Sequence, residues 1–148
     1  MTDMILKIIQ ATVGTVAFSI LFSVPKKYYI SCGLTGGAGW LVYSLVCLKL
    51  SPATGALFAT MVVILLSRVQ AVVMKCPVTI FMIPGIFPLV PGAGIYWTSY
   101  YIVTEQLNLA LQTGYEAVKT AVAIVLGIIF VFEVPQRVFS KGMQKKNA

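Results

Sequence analysis

Long apolar runs separated by short polar joints set the pattern of this chain. A bilayer crossing by helix needs about 20 mostly apolar residues. Five runs reach or approach that length: residues 5–24, 28–48, 52–74, 77–103 and 117–134. The first closes on Val24-Pro25-Lys26-Lys27, and the third opens on Ser51-Pro52, where serine suits an N-cap and proline the first turn. The first run is long enough to span and is followed by no convincing cleavage site, so it reads as a retained helix rather than a signal peptide. The expectation is an all-α integral membrane protein, a compact bundle of about five transmembrane helices forming one domain over residues 1–148. Between the last two runs, Leu107, Leu109 and Leu111 alternate with Gln106, Asn108 and Gln112. Residues 105–116 therefore predict an outer loop or a short helix lying at the interface.

The fourth run departs from this plainness. Residues 77–94 are apolar, yet they hold four of the seven prolines (Pro77, Pro84, Pro88, Pro91) and three glycines (Gly85, Gly92, Gly94). An internal proline removes an N–H and clashes with the carbonyl one turn back, so no regular helix is expected to pass Pro84, Pro88 and Pro91 undisturbed. Carbonyls freed at membrane depth are tolerated only where protein or a polar cavity satisfies them. A helix broken by Pro84, Gly85, Pro88, Pro91 and Gly92 is therefore a candidate substrate-binding element, as in carriers built on discontinuous helices. A kinked helix whose prolines serve packing alone is the competing reading.

Composition narrows the class. Of 148 residues 59% are hydrophobic and 10% charged, against about 25% charged in soluble domains. The net charge of +7 comes from eleven basic residues scattered between apolar runs, which points to topology signals and to no nucleic-acid partner. With five spans, Lys26, Lys27, Arg68, Lys75, Arg137, Lys141, Lys145 and Lys146 share one face, and Lys7, Lys49 and Lys119 the other. The positive-inside rule then puts the N-terminus out and the C-terminus in. Tyr96, Trp97, Tyr100 and Tyr101 at one end of the fourth run, and Tyr28 and Tyr29 at the start of the second, read as interfacial belts.

Enzymatic readings lack parts. There is no histidine, and Asp3, Glu105, Glu116 and Glu133 sit at or near run ends with no carboxylate pair placed for acid–base work. Cys32, Cys47 and Cys76 have no metal-ligand or redox spacing and read as small buried hydrophobes. No metal, cofactor or catalytic residue is expected. A proton-coupled carrier usually needs a titratable group at depth. These runs offer no aspartate or histidine and only a peripheral glutamate, so if export is proton-coupled the carboxylate is expected on another subunit. Gly33, Gly36, Gly37 and Gly39 give the second helix a side-chain-poor face for close helix packing. Arg68 lies about 9 Å of helix rise from the end of its run. It either snorkels to the inner interface or faces the interior beside Gln70 and attracts a substrate carboxylate. Glu133 and Arg137 are spaced as an i,i+4 pair.

Ser67-Arg68, Lys75-Cys76-Pro77 and the Pro84-Gly85-x-x-Pro88-x-x-Pro91-Gly92 pattern, followed by Ala93-Gly94-Ile95-Tyr96, resemble the small half of the threonine/serine exporter family. The resemblance implies a bacterial cytoplasmic (inner) membrane exporter made of two dissimilar membrane parts, fused in some members and split in others. It implies small polar solutes as substrates: threonine and serine, or dicarboxylates such as succinate in a split branch. The other part is missing from this chain, so a larger polytopic membrane subunit is the expected partner. From a different class, a membrane scaffold that positions a partner and binds no solute stays open.

Overall fold

The computed structural model of the chain describes residues 2–134. Six α-helices account for most of it: α1 (Thr2–Leu21), α2 (Tyr29–Cys47), α3 (Pro52–Met74), α4 (Thr79–Ile86), α5 (Gly92–Val103) and α6 (Leu107–Phe132). Short 3-10 turns at Lys26–Tyr28 and Phe87–Leu89 precede α2 and follow α4. Among the described residues four helices are long and apolar enough to cross a bilayer, and α4 with α5 makes a fifth span when the bent pair is counted as one.

The helix ends follow local chemistry. Ser51 accepts the Thr54 N–H at 3.4 Å and Pro52 occupies the first turn of α3, as the sequence predicts. Three helices stop at a non-glycine residue in the left-handed region, Ser23 (φ 55), Lys75 (φ 50) and Glu105 (φ 58). Each is followed by an N–H that reaches back five residues: Val24 to Ser19 (2.9 Å), Cys76 to Ala71 (3.1 Å) and Gln106 to Tyr101 (2.9 Å). That is the Schellman closure, which satisfies the terminal carbonyls of a helix without water.

Neighbouring helices follow the order α1, α2, α3, α6, α5, with α4 set against α1, α2 and α3. In lipid the adhesive is van der Waals contact between closely approached backbones. The glycine face of α2 supplies it: a Cβ on Gly36 would run into Thr15, and one on Gly37 into Thr12. Thr12, Thr15 and Ser19 keep their hydroxyls bonded within α1, to Ile8 O (2.8 Å), Ala11 O (2.7 Å) and Thr15 O (2.8 Å), so the threonine oxygens that face the glycines already have acceptors. Ala56, Ala59, Val63, Leu89 and Ile124 form the main core, and Val24, Tyr28, Cys32 and Phe81 a second one.

Two expectations fail here. Residues 105–116 are neither loop nor surface helix: α6 starts at Leu107 and runs unbroken for 26 residues, about 39 Å. Its first half is held by α5, where Thr98 Oγ1 lies 3.0 Å from Thr113 Oγ1 and a Cβ on Gly94 would sit 3.1 Å from Ala117. Tyr28 is not a belt residue. It is 7% exposed, with its ring edge-on to Phe81 at 5.5 Å.

Candidate functional site

The fourth span breaks, and it does so late. α4 runs through Pro84 to Ile86 and continues as the 3-10 turn to Leu89; α5 then leaves at a bend of 46°. Pro84 deprives Ile80 O of its helical donor, and the Cys32 thiol reaches that carbonyl at 3.4 Å. A neighbouring helix thus repairs what the proline removes, and the helix persists. Cys32 is buried as expected, but it is a donor as well as a filler. At Pro91 the stripped carbonyl is that of Phe87, and it is taken within its own turn. Val90 N–H closes onto Phe87 O (3.2 Å), Gly92 N–H onto Val90 O (2.8 Å), and α5 begins with no side-chain cap among the described residues.

The predicted motif is therefore divided. Pro84 and Gly85 are buried in the bundle, and a Cβ on Gly85 would press on Val63 (2.9 Å) and Thr35 (3.2 Å). Pro88, Pro91 and Gly92 lie at the break itself. Gly92 is exposed, and a Cβ there would meet nothing within 4 Å. Beside the break, a hollow of about 420 Å³ opens between α5 and α6, lined by Pro91, Gly94, Trp97, Gln112, Glu116 and Thr120. Ala93 and Gly94 are early residues of α5, where a helix start leaves N–H groups without intrahelical partners. Glu116 stands within α6 rather than at a span end, and pairs with Lys119 at 3.6 Å. Its neighbours Gln112 and Thr120 are one turn away on either side, so a polar stripe at i, i+4 and i+8 was the available signal for this wall.

Arg68 faces the bundle interior, the second of its two predicted positions, but toward α6 and not beside Gln70. It is 5% exposed, and its guanidinium donates to Val131 O and to Val134 O (2.7 Å) while lying 5.5 Å over the Phe132 ring. A cation on the last carbonyls of α6 complements the negative end of the helix dipole. Gln70, two residues on, points elsewhere: Thr35 Oγ1 is 3.0 Å from its Oε1, and its Nε2 donates to Ser31 O at 3.4 Å. Residues at i and i+2 do not share a helix face, so Arg68 cannot work beside Gln70. Arg137, the expected partner of Glu133, lies outside the described residues.

A family model described as the threonine/serine exporter ThrE matches residues 7–134. The chain belongs to that family, and with its apolar helices it is a multi-pass membrane protein. No curated protein and no solved structure gives a match.

Proposed function

We propose that this exporter-family chain is one membrane subunit of a two-component secondary exporter for small carboxylate-bearing metabolites, threonine and serine first. The observation that carries the reading is the interrupted fourth span. A 46° bend and an uncapped helix start put irregular backbone within a span, where protein or a polar cavity must line it. Pro88, Pro91 and Gly92 form that element, with Pro84 and Gly85 fitting its first half to the bundle. Arg68 supports the site from behind by anchoring α6 to α3.

Shape supports a second subunit. The hollows along this chain are open-sided grooves between neighbouring helices, so a closed solute path needs another wall, which a larger polytopic partner would supply. Orientation with the N-terminus out and the C-terminus in, in the bacterial inner membrane, completes the proposal. With Arg68 drawn into the bundle, the basic bias rests on Arg137, Lys141, Lys145 and Lys146, which lie outside the described residues.

The test is export of labelled threonine, serine and succinate from cells expressing this chain with and without the larger subunit. Export should require both. Strong export by this chain alone overturns the two-part arrangement, succinate in place of the amino acids reassigns the substrate, and no export of any solute by the pair overturns the transport reading.

A further inference from the structure

The side of the broken helix turned away from α6 carries a second set of features. On α1, Lys7, Gln10, Gly14 and Phe18 follow one another at i, i+3, i+7 and i+11, which is a single helix face. They line a hollow of about 240 Å³ closed behind by Trp40 of α2 and Pro88. A Cβ on Gly14 would meet nothing within 4 Å, so the face is open there. A second hollow of about 360 Å³ shares Lys7 and Trp40 and extends past Tyr43 and Ser44 toward the helix ends. Lys7 has no ion-pair partner among the described residues, and the Trp40 indole N–H is buried with no acceptor among them.

Below this vestibule the seam is shut by three rings. Phe87, from the 3-10 turn of the broken helix, lies 4.4 Å from Phe18 and 5.1 Å from Phe22 between centroids. On the far side of the rings a further hollow of about 310 Å³ is lined by Phe22, Pro25, Thr79, Ile83 and Pro84. Pro88 thus lines the chamber above the rings and Pro84 the chamber below. The two are one turn apart, about 6 Å of rise.

We propose that the seam between α1 and the broken helix is the solute path, with Lys7 and Gln10 holding the substrate carboxylate above an aromatic barrier of Phe18, Phe22 and Phe87. The assignment rests on the exporter reading above and names the side of the broken helix that carries solute. Charge decides between the sides. In the α5–α6 hollow the one charged group, Glu116, is paired with Lys119, whereas the vestibule presents an ammonium with no ion-pair partner among the described residues, and an amide. The ammonium gives charge-assisted hydrogen bonds to a carboxylate, about twice as strong as neutral ones. Rings in contact exclude water and ions when closed. Because Phe87 stands on the irregular turn, a small shift of that turn alone would part it from Phe18 and Phe22. The seam lies open along its length, which is where the partner subunit would complete the wall.

The experiment uses the purified complex with its partner subunit and equilibrium binding of labelled L-threonine, L-serine and succinate, alongside export from cells. Lys7→Gln should weaken binding of the transported solute by at least about tenfold, the scale of one charge-assisted contact. Lys7→Arg should stay within about threefold of wild type, and Lys49→Gln, an exposed lysine in the α2–α3 loop, should change nothing. Phe87→Ala should let solute leak down its gradient in both directions at unchanged complex abundance. Wild-type binding by Lys7→Gln in a complex that does export overturns this path while leaving the exporter reading intact. A tight Phe87→Ala complex overturns the barrier. A wild-type complex that neither binds nor exports any of the three solutes removes both the path and the exporter reading.

Discussion

Replacing Arg68 by methionine separates an anchoring arginine from a substrate-binding one. Methionine keeps most of the volume and loses the charge. The structure gives the guanidinium at least two carbonyl acceptors, Val131 O and Val134 O, at the C-terminus of α6. A hydrogen bond to a charged group contributes about 1.5–3 kcal/mol, and a cation at a helix C-terminus about 0.3–1 kcal/mol. Removing a buried guanidinium also removes its desolvation cost, which offsets part of the loss. Of the two carbonyls left behind, that of Val131 stays buried, while Val134 is exposed. The net expectation is a loss of about 2–4 kcal/mol, a large share of the about 5–15 kcal/mol that separates most folded domains from unfolding.

The assay is denaturant or thermal unfolding of the purified complex, read beside export per folded complex. Arg68→Met should lower stability by that amount, and Arg68→Lys by about half, since an ammonium keeps the charge but not the planar fork. Export per surviving complex should stay near wild type in both. An Arg68→Met complex of wild-type stability that has lost substrate binding would refute this reasoning and restore Arg68 to the solute path.

The two ends of the proline–glycine motif should respond differently. Gly85→Leu must displace Val63 and Thr35, and Gly36→Val must displace Thr15, so each should cut the yield of folded protein; overpacking of this kind costs about 1–3 kcal/mol or more. Gly92→Leu has room and should preserve yield while lowering export per complex; normal export there would free the break from any transport role. Cys32→Ala should lower the unfolding midpoint by orphaning Ile80 O, a part-buried acceptor whose loss of a donor costs up to about 1–3 kcal/mol, and Cys32→Ser should recover most of it; equal effects of the two would show the thiol to be filler only. A reporter fused after Ala148 should be active in the cytoplasmic form alone, and periplasmic activity would reverse the proposed orientation.

What was legible in the sequence was local, and what was hidden depended on a partner elsewhere in the chain. α3 is read to the residue because its start lies in Ser51-Pro52 and its body is uniformly apolar. The glycines of α2 announce a close contact without saying with what. Arg68 shows the converse. Its separation from Gln70 by two residues already excludes a shared face, and only the fold reveals that its acceptors lie on α6, more than sixty positions away. The first half of α6 was misread because mean polarity over 105–116 resembles a loop, while the helix depends on which face Gln112, Glu116 and Thr120 share and on α5 lying against it.

The prolines make the same point about function. Pro84, Pro88 and Pro91 are chemically equal as helix breakers, yet α4 passes the first and the span bends at the last. The difference is Cys32, which arrives from α2 to take the carbonyl that Pro84 strips of its donor. Wherever a neighbour supplies that bond, a proline in a membrane helix becomes a packing residue. Where the carbonyl is instead taken within its own turn, as Val90 N–H takes Phe87 O, the helix ends and the span bends. The break therefore falls at Pro91 and Gly92, between a hollow that carries Glu116 and a seam that carries Lys7. Glu116 is already paired with Lys119 while Lys7 has no ion-pair partner among the described residues, so on the proposed path a small carboxylate would be held on the α1 side of this helix.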